Sequence, residues 1–242
     1  ATKGVGTIEG MIANSKYSVV IVAGGSGLRV GAAIPKQFLP LAKKPMLMRT
    51  IERFYEFDSA IQIVVVLHPD YFTLWNDLCK EYNFNITCEL VAGGSTRFDS
   101  VKRGLALVSN SKIVGIHDAA RPFVTKELIA ESYRTAQQEQ CGVIPVVDEK
   151  NSLRMMKEDK HQPLDRERVK IVQTPQVFPA HLIKEAYEVK YNSLFTDDAT
   201  VAESNNIAVK LIQGDDANIK VTTMHDVHYA SYLLNISGKE SF

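Results

Sequence analysis

Three short stretches of this 242-residue chain hold the residues best suited to chemistry, and each follows an apolar run. In "VVIVAGGSGLRVGAAIPKQFLPL", Gly24, Gly25 and Gly27 lead into Arg29 and Lys36. Bare glycine backbone lets a ligand come close and turns N–H groups toward it. Two full cations beside such a loop suit a triphosphate. A dinucleotide fingerprint beginning at Gly25 needs a small residue at position 30, where the chain has Val30, and Gly31 comes one residue late. The P-loop pattern fails because no Gly-Lys-Ser/Thr follows. A glycine-rich turn with two solvated cations is the competing reading. Pro35 argues against it by stiffening the chain just ahead of Lys36.

The second stretch, "GGSTRFDSV" (93–101), places Gly94, hydroxyls and Ser100 at a helix start. Its amides suit polar or anionic groups, and a plain cap by Ser95 or Thr96 explains the same residues. The third, "HDAARP" (117–122), offers Asp118 for ligand hydroxyls or a metal-bound water and Arg121 for a phosphate. A mutual ion pair accounts for that spacing equally well. His117 reads as a hydrogen-bonded packing residue rather than a base.

These loops need a scaffold, and the apolar pattern supplies one. Strands are predicted at 18–23, 61–67, 86–92, 112–118 and 142–147. Between them, helical spacing recurs after Pro45, from Pro69 to about Tyr82, over 98–108 and from a Thr125 cap to about Gln140. Alternating strands and helices mean βαβ units: a mostly parallel central sheet with helices on both faces. Ligands of such sheets bind beyond the carboxyl ends of the strands, so the three loops are expected on one edge. After Val147 the pattern lapses. Residues 148–168 are polar and charge-dense, and read either as a protruding hairpin arm with its partner on a second subunit or as a disordered surface loop. Beyond it a helix is expected over about 180–191, a short one after Thr196, a strand over 208–213 and a last helix from near His225. No second-domain boundary is found, so residues 11–242 are expected to form a single domain. The first ten residues look unlike the rest and are expected to be an expression remnant ahead of Met11.

Composition narrows the partners. Lys plus Arg and Asp plus Glu both number 28. Net charge is therefore zero, without the basic excess expected of a nucleic-acid or membrane-surface binder. Three cysteines without CxxC spacing support neither a disulfide framework nor a zinc site. With strand-length apolar runs, they make a reducing cytoplasm the expected location.

With the loops in place, the chain resembles the 2-C-methyl-D-erythritol 4-phosphate cytidylyltransferase family of nucleotidyltransferase-fold enzymes. The matching pieces, in order, are "AGGSGLRVGAAIPKQFLPL", "GGSTRFDSV", "HDAARP", "TPQVF", "TDDA" and "NIKVT". The resemblance implies a Rossmann-like nucleotidyltransferase fold with a dimerisation arm. It also implies transfer of a cytidylyl group from CTP to a sugar-alcohol phosphate in non-mevalonate isoprenoid synthesis. CTP would lie over Gly24, Gly25 and Gly27, with its base held near Ala23, Gly24, Gly94 and Ser100. Arg29 and Lys36 match the pair that stabilises the transition state. Asp118, Arg121, Thr174 and Thr196 match residues around the sugar phosphate, and Arg166 and Lys220 match the cations holding the attacking phosphate. Ser152 keeps a hydroxyl in the arm, where relatives often have Asp-Thr and this chain has Asn151-Ser152. The arm with its Arg would cross to the second subunit of a homodimer. Mg²⁺ would be bound mainly through the CTP phosphates and water, with no protein ligand assigned. The alternatives are a ribitol-5-phosphate cytidylyltransferase and a non-catalytic nucleotide-binding regulatory protein.

Overall fold

The computed structural model describes residues 16–23 and 34–237. Expectations for residues 1–15, and for Gly24, Gly25, Gly27 and Arg29, lie outside the described residues. The first strand, β1 (Tyr17–Ala23), is followed by a short hairpin, β2 (Pro40–Leu41) and β3 (Lys44–Pro45). Then come α1 (Met46–Phe57), β4 (Gln62–Leu67), α2 (Phe72–Glu81), β5 (Glu89–Ala92), α3 (Arg97–Leu107), β6 (Ile113–Asp118) and α4 (Lys126–Glu139). Strands β5, β4, β1 and β6 are neighbours and run parallel. The alternation read from the sequence therefore sets this half of the sheet.

Both faces are covered, and successive β1 residues go to opposite sides, as the two-residue period of a strand requires. Val19 and Ile21 join Leu47, Ile51 and Phe54 of α1 and Ile129 and Tyr133 of α4 in one core. Val20 packs with Phe98, Val101 and Leu105 of α3 in the other. These side chains are almost wholly buried, each worth about 1.5–3 kcal/mol of transfer free energy. Helix α3 approaches the sheet so closely that a Cβ on Gly104 would lie 2.4 Å from Val20 Cγ1.

The second half departs from simple alternation. Strand β7 (Gly142–Asp148) leads to the hairpin β8 (Leu153–Lys157) and β9 (Lys160–Leu164), then to β10 (Lys170–Val172) and β11 (Gln176–Pro179). The chain ends with α5 (Ala180–Ala186), α6 (Asp198–Ser204), β12 (Val209–Gln213) and α7 (Met224–Ser237). Strand β11 inserts antiparallel between β6 and β7. Val146 pairs with Val172 of β10 and with Gln213 of β12. A strand has only two edges, so β10 and β11 share one side of β7 and β12 takes the other. Eight strands among the described residues form this sheet.

Two boundaries are corrected. The helix expected over 180–191 stops at Ala186, because Tyr187 turns inward, 2% exposed, to stack on Phe98 at 4.9 Å. The projecting arm is a hairpin, as one reading held, and it narrows to 153–164. Asp148 still belongs to the sheet, paired in register with Lys170. Every arm residue between Leu153 and Leu164 is exposed, and the turn is the two-residue Glu158–Asp159, with Glu158 at φ 52°.

Candidate active site

Parallel pairing brings the ends of β1, β4, β5 and β6 to one edge, and backbone bonds tie their loops together there. Gly93 N–H donates to Leu67 O at 2.8 Å, and Ala119 N–H to Val22 O at 3.1 Å. Buried Ala23, the last residue of β1, accepts from Gln37 Nε2 at 3.2 Å. That bond pins the chain as it returns from the glycine loop. Pro35, Gln37 and Phe38 are buried around Lys36, which is itself half-buried in a single 3₁₀ turn. The lysine is thus carried by a fixed backbone.

The loop after β5 is a helix start. Thr96 Oγ1 accepts from Asp99 N–H at 3.1 Å, and Asp99 Oδ2 accepts from Thr96 N–H at 3.2 Å, a reciprocal capping box. Hydrogen bonds from Thr96 and Ser95 draw the Asp99 carboxyl below its ordinary pKa. The cap reading of this loop therefore holds, with Thr96 as the cap. Ser100 is 3% exposed, and its Oγ accepts from Gly94 N–H at 3.0 Å. A Cβ on Gly94 would sit 2.3 Å from Asp99 Cβ, so the turn has no room for another residue.

The charged centre lies between these loops. Asp118, at the end of β6, faces three cations: Arg121 Nε at 3.2 Å and Lys220 Nζ at 3.3 Å from Oδ2, and Arg97 Nη2 at 3.7 Å from Oδ1. Burial pushes the Asp118 carboxyl up, but Arg97, Lys220 and Arg121 together outweigh it and hold the pKa well below the usual carboxylate range. Arg97 also grips fully buried Asp198 with two bonds of 2.9 Å, and Tyr187 donates its hydroxyl to Asp198 at 2.5 Å. Lys220 is placed by the backbone: Val221 N–H donates to Ala120 O at 2.8 Å, and Arg121 Nη1 donates to Asn218 O at 2.8 Å. The ion pair foreseen between Asp118 and Arg121 exists, within a larger cluster.

Beneath this cluster His117 is fully buried. Its Nε2 lies 3.0 Å from Arg121 O and its Nδ1 2.9 Å from Thr174 Oγ1. Thr174 Oγ1 also accepts from Asp118 N–H at 3.1 Å. Asn218 Nδ2 donates to Thr174 O at 2.8 Å. His117 is thus the packing residue that the sequence indicated. Across residues 17–236 the chain matches the model of the family described as 2-C-methyl-D-erythritol 4-phosphate cytidylyltransferase.

The chain belongs to that family. A 2-C-methyl-D-erythritol 4-phosphate cytidylyltransferase of Phocaeicola vulgatus is 49% identical over 216 residues, 89% of this chain and 98% of the relative. The one from Bacteroides thetaiotaomicron is 47% identical over 219 residues, 90% and 100% of the two chains. Among solved structures, a 4-diphosphocytidyl-2C-methyl-D-erythritol synthase from Anaerococcus prevotii superposes with a TM-score of 0.77 at 27% identity, covering 92% of this chain and 99% of its own. The cytidylyltransferase of Thermus thermophilus gives 0.73 at 28%, covering 91% and 100%. The nucleotidyltransferase fold expected from the sequence is therefore the fold of this cytidylyltransferase-family chain.

The structure brings together Asp118, Arg121, Thr174 and Lys220, with Gly94 and Ser100 on the loop that Arg97 ties to them. Thr196 is exposed, next to the Asp197 capping box that starts α6. Ser152 and Arg166 take no part in the ion pairs of this cluster among the described residues. Ser152 is exposed at the foot of the arm, and Arg166 donates from Nη1 to Lys150 O at 2.8 Å. Among the described residues, Asp118 pairs with Arg97, Arg121 and Lys220 and not with Arg166. Sequence reasoning missed Arg97, Asp198, Gln37 and Gln173. Arg97 and Asp198 lie inside quoted motifs, 101 positions apart, so only their types hinted at a pair. Gln173 bonds both Asp215 O (2.8 Å) and Asp215 N–H (3.2 Å), holding the segment that carries Lys220. No group of three or more metal-ligating side chains occurs among the described residues, and none of their helices is long and apolar enough to cross a membrane.

Proposed function

We infer that this protein transfers the cytidylyl group of CTP to 2-C-methyl-D-erythritol 4-phosphate, releasing pyrophosphate. A phosphate oxygen of the sugar alcohol attacks the α-phosphorus in line. The new P–O bond forms as the bond to pyrophosphate breaks. The nucleophile is already an anion, so no general base is required. The obstacle is the meeting of two anions and the charge that builds on the α-phosphate oxygens. Fixed cations and amides address both. The observation that carries this reading, beside the family match, is the Asp118 cluster: Arg97, Arg121 and Lys220 held within 3.7 Å of one carboxylate at the ends of parallel strands.

In this reading CTP enters as its Mg²⁺ complex, with the metal held mainly by phosphates and water. The matched cations of the Asp118 carboxylate support that division. CTP lies over Gly24, Gly25 and Gly27, with its base held near Ala23, Gly24, Gly94 and Ser100. Lys36, with Arg29, stabilises the transition state. Lys220 and Arg166 hold the attacking phosphate, and Asp118, Arg121, Thr174, Thr196 and Ser152 surround the rest of the substrate. Arg166 acts across a homodimer through the arm. Support comes from the hairpin itself, exposed along its length, with Met155 and Met156 45% and 67% exposed. We place the enzyme in the cytoplasm, on its three free thiols, Cys79, Cys88 and Cys141.

Pyrophosphate release from Mg–CTP with each sugar phosphate tests this. Turnover is expected with 2-C-methyl-D-erythritol 4-phosphate and not with ribitol 5-phosphate. Lys36→Ala is expected to lower kcat by about 10²–10³, the usual cost of one transition-state donor. Preference for ribitol 5-phosphate, or tight CTP binding without turnover on either acceptor, would overturn the assignment.

A further inference from the structure

The partners of His117 and Thr174 fix where each proton sits. His117 Nε2 faces the carbonyl oxygen of Arg121 at 3.0 Å. A carbonyl only accepts, so Nε2 carries hydrogen. The ring is fully buried and packs edge-on to Phe54 at 5.0 Å. Burial lowers its pKa to about 4, against the raising effects of the bond to Arg121 O and the Asp118 charge, and with the Arg121 charge lowering it further. A neutral ring protonated at Nε2 has a bare Nδ1, which only accepts. Nδ1 stands 2.9 Å from Thr174 Oγ1, so the threonine hydroxyl donates to it. The Asp118 N–H occupies one lone pair of that oxygen at 3.1 Å. A hydroxyl has one hydrogen and two lone pairs. Thr174 is left with one lone pair and no hydrogen to give.

The geometry points to His117 as a positioning residue that makes Thr174 an acceptor-only contact, so that Thr174 receives a hydroxyl of the sugar-alcohol substrate and takes no phosphate oxygen. This deepens the cytidylyltransferase reading and rests on it. A phosphate dianion brings only acceptors, and a lone pair turned toward it repels. A polyol hydroxyl brings the missing hydrogen. Work is thereby divided at the acceptor site, with cations on the phosphate and Thr174 on the carbon chain. The same ring, bonded to Arg121 O, fixes the loop that carries Arg121.

Nitrogen-15 NMR of the imidazole in the intact, substrate-free enzyme tests the first half. The neutral Nε2–H form is expected between about pH 6 and 8, the range in which an ordinary histidine titrates or has already lost its proton. An Nδ1–H tautomer or an imidazolium at neutral pH overturns the proposal whatever the activity. Thr174→Val tests the second half. The KM for the sugar-alcohol phosphate is expected to rise about 3- to 10-fold, the worth of one neutral hydrogen bond, and to rise more than kcat falls. Inorganic phosphate, assayed as a competitive inhibitor, is expected to keep its inhibition constant, and Thr174→Ser to restore KM. A phosphate inhibition constant that rises in parallel overturns the proposal. An inactive wild-type enzyme that still shows the Nε2–H tautomer would count against the substrate assignment and leave the proton arrangement standing.

Discussion

The Asp118 cluster and the 153–164 hairpin with adjacent Arg166 both carry cations that the family resemblance assigns to phosphate, yet they are built in opposite ways. Around Asp118, Arg97 and Arg121 are wired into carboxylates and backbone, and Asp198 beneath them is fully buried. Arg166, on an exposed segment, donates to one backbone carbonyl, Lys150 O, and lies near the Glu149 carboxylate. A two-stranded hairpin alone is marginal in water. Like charges held together are costly unless paired, and buried ones most of all. The cluster meets that cost with two carboxylates before any ligand arrives. The segment beside the arm leaves the Arg166 charge exposed. One half of the charge proposed to hold phosphate is therefore part of the folding of the domain, and the other half is not.

The largest expected effect breaks the cluster at its joint. Arg97→Ala leaves Asp198 buried without its cation, a change that typically costs about 3–5 kcal/mol. In a domain of this size that lowers Tm by about 6–20 °C. Calorimetry should show it, and Arg97→Ala/Asp198→Ala should recover much of the loss, since removing both charges leaves none stranded. An unshifted Tm in Arg97→Ala would mean that the cluster is as dispensable to folding as the arm.

Acid separates the two regions next. His117 has its pKa lowered to about 4, chiefly by burial, from an ordinary value of about 6.5. Between those values the unfolded chain binds the proton and the folded one does not. Stability therefore rises with pH across that window and falls as pH drops from about 6.5 toward 4, by about 3 kcal/mol in all. The lowered Asp118 acts later: its contribution is present above its unfolded pKa and is lost as pH falls below that value toward its folded one. Melting curves against pH should show the histidine limb first. Arg166→Ala should leave the profile where it is.

The same contrast explains what the sequence disclosed. The parallel half of the sheet was legible because each strand and helix repeats its apolar period locally, as in "IVVVL" before Pro69. The loops after β5 and β6, the Thr125 cap and the hairpin followed from local residue types. Strand β11 did not, because its place between β6 and β7 is set by pairing Gln176–Pro179 with residues 113–116, about sixty or more positions earlier. Arg97 was legible as a cation and illegible as a joint, since its partners Asp118 and Asp198 come from distant segments. Gln37 and Gln173 carry no signal at all. An amide acquires its role only once two backbones come within reach of it. The acid, hydroxyl and lysine that meet at the end of β6 were singled out because short motifs quote them; the order in which they hydrogen-bond was not legible.

The smallest energy is expected at Arg166, and it sharpens the comparison most. As an exposed residue, Arg166→Ala should change stability by no more than about 0.5 kcal/mol. In the proposed role Arg166 gives one charge-assisted bond to the attacking phosphate, worth about 1.5–3 kcal/mol, so KM for the sugar phosphate should rise by about 10- to 150-fold. Mixing tells which subunit supplies it. Suppose that Arg166→Ala and Lys220→Ala proteins are unfolded together and refolded as dimers. If the arm serves the opposite subunit, a hybrid dimer holds one site lacking both cations and one lacking neither. Half of randomly assembled two-fold dimers are hybrids, so about a quarter of wild-type activity should return at low substrate. If Arg166 serves its own subunit, every hybrid site lacks one cation and nothing returns. Recovery would mean that the exposed region is finished by a neighbour, and no recovery would mean that the arm folds back on its own domain.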